Sequence, residues 1–373
     1  MNHSNQTISP VERLNWLRLY RSENVGPVTF FRLLERYGTA GAALEALPGL
    51  ARRGGGKKPI AVCSKIDAER ELTALEKIGG RLVVACEADF PTALRSLETA
   101  PVLTVLGHPH LLSRPMVGIV GARNASTAGR RLAQIIAADL GKAGYLVASG
   151  MARGIDTAAH QGALTAGTVA VLAGGVDVVY PPENQDLYDR IRDQGCVVSE
   201  MPPGTQPQAS HFPRRNRLIS GMSLGLLVVE AAAKSGSLIT ARNALDQGRE
   251  IFAIPGSPLD PRCQGPNGLI RQGATLVESA DDILNVLNDM LRRPLSEPPG
   301  GGFSPPFPAP IDESDLLRAR KTVLQSLSPT PVTVDEIIRQ CQLSPAVVSV
   351  ILLELELAGR LERHSGSQVS LLP

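Results

Sequence analysis

Residues 117–150 read VGIVGARNASTAGRRLAQIIAADLGKAGYLVASG. An apolar run closes on a Gly-Ala-Arg turn, a segment with apolar residues at helical spacing follows, and a second apolar run ends in Ser-Gly. That is strand, crossover helix, strand. The theme recurs outward along the chain in TVAVLAG (168–174), CVVSE (196–200), LGLLVVEA (224–231) and EIFAIPG (250–256), each followed by a loop and, usually, a helical segment. Strands of nearly continuous Val, Ile, Leu and Ala are buried on both faces, and crossover helices make such a sheet mostly parallel. RLVVA (81–85) and VLTVLG (102–107) extend the sheet towards the N-terminus. The expected fold is therefore α/β, a doubly wound and mostly parallel sheet.

The rest of the chain is smaller pieces. At 373 residues two or three domains are expected. Before residue 77 the leucines, among them Leu14, Leu17, Leu33, Leu34, Leu44 and Leu47, suit small packed helices, giving a helical domain over 1–77 ahead of the sheet domain at 78–291. Within it VGPVTFFRLLERYG (25–38) has the form of a helix-hairpin-helix, whose turn either presents amides to DNA phosphate or simply starts a packed helix. RRGGGKKP (52–59) is expected to be a flexible surface loop. RRPLSEPPGGGFSPPFPAP from residue 292 is too rich in breakers for regular structure, so 292–311 is read as a linker. Beyond it, over 312–373, three helical segments and RLERHSGSQVSLL resemble a winged helix, with Thr333 and Ser344 as helix caps and Gly359 as a helix stop.

Charge and cysteine usage narrow the function. The net charge is only +2, so attraction to a polyanion must come from local clustering. The first 60 residues are basic, with Arg13, Arg18, Arg21, Arg32, Arg36, Arg52, Arg53, Lys57 and Lys58 against four glutamates. Five scattered cysteines fit neither a disulfide framework nor a zinc site, which points to a reducing cytoplasm. No apolar run reaches the ~18 residues of a spanning helix, so neither a membrane nor a secretory route is expected.

In an open α/β sheet, ligands collect beyond the carboxyl ends of the strands. Five junctions there suit an anion: Gly121, Arg123 and Ser126; Ser149, Gly150, Arg153 and Gly154; Gly174 and Gly175; Phe212, Arg214, Arg215, Asn216 and Arg217 in HFPRRNR; and Lys234, Ser235, Gly236 and Ser237 in AKSGS. Glycines admit close backbone approach, helix starts offer amides, and arginine grips two phosphate oxygens. Taken together they predict a site for extended or repeated phosphate. GIVGARNAS lacks the GxGxxG turn and AKSGS lacks the GxxxxGK[ST] order, so neither a dinucleotide nor a nucleoside triphosphate is expected. Asp156, His160 and Glu230 are acid-base candidates without a nucleophile, the first two more naturally a helix-start acid and a packed histidine. No catalytic residue, metal or cofactor is assigned. Aromatic residues are 3% of the chain, so phosphate contacts must outweigh base stacking. Phe212 either stacks on a base or plugs the loop.

GAR (121–123), SGMARGIDTAAH (149–160), AGGVDVVYPPEN (173–184), FPRRNRLISG (212–221), EAAAKSGSLITA (230–241) and GPNGLIRQGA (265–274), in this order, resemble the DNA-processing protein A family, DprA or Smf. The resemblance implies a helical N-terminal domain, an extended Rossmann-like domain and often a winged helix. It further implies a cytoplasmic, non-enzymatic homodimer that binds single-stranded DNA and helps load RecA recombinase in natural transformation. By motif, Arg123 falls on the family's Gly-Ser-Arg arginine, and Arg214, Arg217 and Lys234 fall on its basic pocket. Ala122 replaces the usual serine. The third helix of the winged-helix segment carries Glu354 and Glu356 and no Lys or Arg between Pro345 and Ala358, which is wrong for reading a major groove and favours a structural or partner-binding role. Two rivals remain. A phosphoribohydrolase of the lysine-decarboxylase-like group would need a PGGxGTxxE motif that GGVDVVYPPEN lacks. A winged-helix regulator would need a basic third helix.

Overall fold

Nine short strands pair into one sheet: β1 Arg81–Val84, β2 Val102–Gly107, β3 Met116–Val120, β4 Leu146–Ser149, β5 Thr168–Val171, β6 Cys196–Ser199, β7 Gly225–Val228, β8 Glu250–Ala253 and β9 Thr275–Leu276. In this computed structural model, which describes residues 8–97, 100–292, 313–364 and 366–372, their order is β1-β2-β6-β5-β4-β3-β7-β8-β9. Pairing from β6 through β9 is parallel, and β1 and β2 add an antiparallel edge. The fold is thus the α/β, mostly parallel sheet that the apolar runs predict. Beta-branched residues fill it because both faces are covered. Val117, Ile119, Val147 and Leu227 point to one face and meet Ala133, Ile136, Ala137 and Leu140 of the helix Thr127–Lys142, Ala158 and Ala159 of Ile155–Ala163, and Ile283 and Leu287 of Ala280–Arg292. Gly118 alternates to the other face, where a side chain would strike Leu226 of β7 and crowd Ser223, beside Ile219 of the helix His211–Met222. After β3 the chain winds through β4, β5 and β6 on one side, then returns to β7 beside β3. The gap between β3 and β7 is therefore the topological switch point, where this class of sheet opens a crevice.

The described chain divides into two compact units, one within Glu69–Pro294 and a second that joins Pro10–Ala68 to the described part of Leu295–Pro373. The sequence treats 1–77 and 312–373 as separate domains; their described parts over 10–68 and 313–372 lie in the same compact unit. In the N-terminal half of this unit, the helices Pro10–Arg21, Pro27–Tyr37 and Ala40–Arg53 bury Leu17, Leu19, Leu33, Leu47 and Leu50 around Phe30, whose ring meets Trp16 edge-on at 5.0 Å. The C-terminal half has the helices Glu313–Ser326, Val334–Cys341 and Pro345–Leu357, then β11 Leu361–His364 and β12 Gln368–Leu371, with β10 Val332–Thr333 completing a sheet of order β10-β12-β11. That is a winged helix around Val323, Ile337, Val348, Ile351, Leu352 and Leu355. Thr333 and Ser344 cap their helices, accepting from the Glu336 and Val347 amides.

RRGGGKKP departs from the expected loop, since Arg52 and Arg53 close a helix and Gly54 is buried. The Pro-rich stretch from 293 lies outside the described residues. Among those described, no single helix is long and apolar enough to cross a membrane, and no cluster of His, Cys, Asp and Glu could hold a metal ion.

Candidate nucleic-acid interface

At the switch point the Gly-Ala-Arg turn after β3 and the Lys-Ser-Gly-Ser turn after β7 meet, because Ser237 Oγ donates to the Gly121 carbonyl at 2.8 Å. Ser235 caps the helix Gly236–Asp246, accepting from the Ser237 amide at 3.2 Å, and leaves Lys234 and Gly236 exposed. The neighbouring helix Thr127–Lys142 starts differently. Its first turn holds the Glu230 carboxylate, which accepts from the Ser126 amide at 2.9 Å and from the Ser126 hydroxyl. Gly129 makes the room, since a Cβ there would strike that carboxylate. A helix N-terminus favours negative charge. Here an internal acid occupies the position a dinucleotide pyrophosphate takes in Rossmann folds, so Ser126 serves Glu230.

The helix His211–Met222 sorts its arginines by direction. Sequence reading puts three guanidinium groups in one turn of phosphate-gripping loop, but the segment is helical from His211, and successive side chains on a helix diverge by about 100°. Arg214 is exposed. Arg215 points inward, 7% exposed, and donates to the Val171 carbonyl at 2.7 Å and to the Gly150 carbonyl, with Nε on Asn216 Oδ1 at 3.1 Å. Arg217 binds both oxygens of the buried Glu200, one at 2.6 Å. Arg215 and Arg217, which the sequence places among the phosphate-binding candidates, have internal partners for their guanidinium groups. Ser149, Gly150 and Gly174 are likewise buried; Ser149 Oγ donates to the Ile119 carbonyl at 2.6 Å, and the Gly174 carbonyl accepts from Ser199. These residues shape the rim from beneath.

Phe212 stands between the two sets. Its ring lies 5.5 Å from the Arg123 guanidinium, 5.9 Å from that of Arg215 and 5.9 Å from the Tyr180 ring. With Gly150, Gly174 and Tyr180 it lines a narrow crevice at the ends of β4 and β5. Half-buried, it packs against both guanidinium groups in cation-π contact.

Beneath the rim, Asp156 accepts from the Gly150 and Ala152 amides at 3.1 and 3.3 Å and faces the Arg215 charge. Burial raises the Asp156 pKa, with Arg215 opposing. Burial lowers that of Arg215 to about 10, Asp156 opposing and Arg123 adding to the fall. His160, fully buried, is pushed down to about 3 by desolvation and then by Arg215. Because Thr168 Oγ1 donates its own proton to the Val147 carbonyl, His160 Nδ1 carries a proton and donates it to Thr168 Oγ1 at 2.9 Å. The imidazole is thus neutral and walled in, and the Asp156 carboxyl is held by backbone amides.

A groove of about 480 Å³ opens beside the rim, between the helices Thr127–Lys142 and Ile155–Ala163, lined by Arg130, Arg131, Arg153, Gln134, Gln161 and Thr157 among others. Arg153 pairs with Glu183 at 2.6 Å, both ends more than half exposed, so solvent screens that contact. Arg123, Arg130, Arg131, Arg214 and Lys234 have no carboxylate partner among the described residues and face solvent.

Three models of known families match consecutive parts of the chain: the DprA-like N-terminal HHH domain over residues 10–74, DNA recombination-mediator protein A over 81–288, and the DprA winged helix domain over 305–367. Protein Smf of Escherichia coli strain K12 is 38% identical over 308 residues, 81% of this chain and 80% of its own. The chain belongs to the DNA-processing protein A (DprA/Smf) family. The X-ray structure of DprA from Streptococcus pneumoniae superposes with a TM-score of 0.62 at 33% identity, over 75% of this chain and 98% of that one. DprA from Helicobacter pylori, whose structure is described for its single-stranded DNA binding mode, gives 0.52 at 27%, over 57% and 96%. Sequence reading took Glu230 only as an acid-base candidate and gave Arg130 and Arg131 no place at the site. Glu230 was legible only as an acid after a strand. Arg130 and Arg131 sit one turn into a helix whose start was already marked, and their spacing from Ser126 was the available signal.

Proposed function

We propose that this protein binds single-stranded DNA along the carboxyl-end rim of its sheet and passes the strand to a RecA-type recombinase, acting as a homodimer. Arg123, Arg214 and Lys234 hold successive phosphates, Gly121, Ser235, Gly236 and Ser237 supply approachable backbone, and Arg153 with Arg130 and Arg131 carries the strand into the adjoining groove. The observation that carries this reading is the set of five exposed cations without carboxylate partners at one end of the sheet, beside a helix start that Glu230 closes to a dinucleotide. Such a surface favours a repeated anion over a single compact one. A Rossmann-like domain matching a recombination-mediator family, and a relative described for single-strand binding, support the same reading. We further propose a binding protein rather than an enzyme, since Asp156, His160 and Glu230 are committed to internal hydrogen bonds.

Mobility assays with single- and double-stranded oligonucleotides test the binding step. Preference for the single strand, with little dependence on sequence, is expected; equal or tighter binding to the duplex refutes it. Recombinase loading is tested by strand exchange on DNA already coated with single-strand-binding protein, where addition of this protein should relieve the block. Light scattering tests the homodimer, and a monomer mass at micromolar concentration rejects it.

A further inference from the structure

A winged helix that reads DNA lays its third helix in the major groove, so that helix normally keeps a polar, basic outer face. The helix Pro345–Leu357 does the opposite. Val348, Ile351, Leu352 and Leu355 fill the domain's own core, yet Leu353, Glu354 and Leu357, which lie outside that core, are buried as well. Their cover is the N-terminal bundle, packed against the helix Ala40–Arg53. The Glu354 carboxylate is 1% exposed and joins Arg320 of its own domain to Arg53 of the bundle, the latter at 2.9 Å. A buried carboxylate without its partners is costly, which makes the second arginine part of the folded structure of this region.

Backbone packing agrees. Gly54, at the end of the bundle's third helix, lies so close to the Glu354 carbonyl that any Cβ would overlap it. Arg360 donates to the Gly54 carbonyl at 3.3 Å, and Asn24, beside the Val-Gly-Pro hairpin, donates to the Leu357 carbonyl at 3.1 Å. The contact therefore joins the two elements that elsewhere touch DNA, a helix-hairpin-helix turn and a winged-helix reading helix.

We infer that the winged-helix domain uses its third helix as a docking surface for the chain's own N-terminal bundle, so that 10–68 and 313–372 form one end module and that helix is withheld from duplex DNA. The inference is independent of how the sheet domain binds its ligand.

The test uses the full chain with a specific protease site inserted within 293–312. After cutting, the fragment beginning near residue 313 should co-elute with the remainder on size exclusion under native conditions. Elution of that fragment by itself overturns the inference. Arg53→Ala should weaken the association of the cut pieces by about ten-fold, roughly one hydrogen-bonded ion pair with one exposed end. Gly54→Leu is followed in the uncut chain by hydrogen exchange: faster exchange across 345–357, with β3 to β7 still protected, is expected. Unchanged protection of 345–357 in that variant contradicts docking through Gly54.

Discussion

The rim of the sheet and the third helix of the end module are both places where a nucleic-acid-binding fold presents itself to DNA, yet they treat their cations in opposite ways. In the end module, Glu354 takes up Arg53 and Arg320, and apolar residues seal the rest of the helix. At the rim, Arg123, Arg130, Arg131, Arg214 and Lys234 stand in solvent with no carboxylate partner among the described residues. An arginine in a family-like motif is therefore not by itself a ligand contact. What decides its role is whether the fold brings a carboxylate or a carbonyl to it.

The sharpest way to break this contrast is to remove an arginine of the buried kind. Arg215→Met leaves Asp156 buried beside an uncharged side chain, and stability to urea should fall by about 3–5 kcal/mol, whereas Arg214→Ala, one residue away, should change it by less than about 0.5 kcal/mol. Equal effects in the two variants would erase the distinction between them.

Acid should reveal the interior next. His160 stays neutral in the folded chain down to about pH 3, while the unfolded chain takes up a proton below about 6.5. Its contribution is intact above pH 6.5 and is lost as pH falls towards 3, amounting to about 2 kcal/mol by pH 5. His160→Asn should flatten that part of the pH-stability curve, measured by urea midpoints between pH 7 and 5. A smaller effect, about 1 kcal/mol, is expected for Glu230→Ala, which strips the carboxylate from the start of Thr127–Lys142 and leaves the Ser126 cap in place. The smallest concerns the groove. Arg130→Ala with Arg131→Ala should leave stability within about 0.5 kcal/mol and weaken long single-stranded oligonucleotides more than hexamers. Equal weakening at both lengths would place those arginines outside the strand's path.

Much of this was legible beforehand, for identifiable reasons. Eight of the nine described strands of the sheet fall on the short apolar runs, only the two-residue β9 having none, and Thr333, Ser344 and Gly359 punctuate the C-terminal helices as their side chains and backbone freedom require. Arg123 and Lys234 follow β3 and β7, neighbours in the sheet, so the order of strands alone places them at one edge. Arg214, Arg215 and Arg217 look equivalent as neighbours in HFPRRNR, but the segment is helical, and the helical rotation turns each arginine in a different direction. Glu230 on Ser126 and Arg53 on Glu354 join residues 104 and 301 positions apart. No local period encodes such pairs.

The account stands most directly on the salt dependence of single-strand binding. For Arg123→Ala and Lys234→Ala, each measured from low to moderate salt beside the parent, the slope of log affinity against log salt should flatten by about 0.7, with unfolding midpoints unchanged. Slopes that match the parent's in both variants would mean that these cations face no phosphate, and that the rim is not where the strand lies.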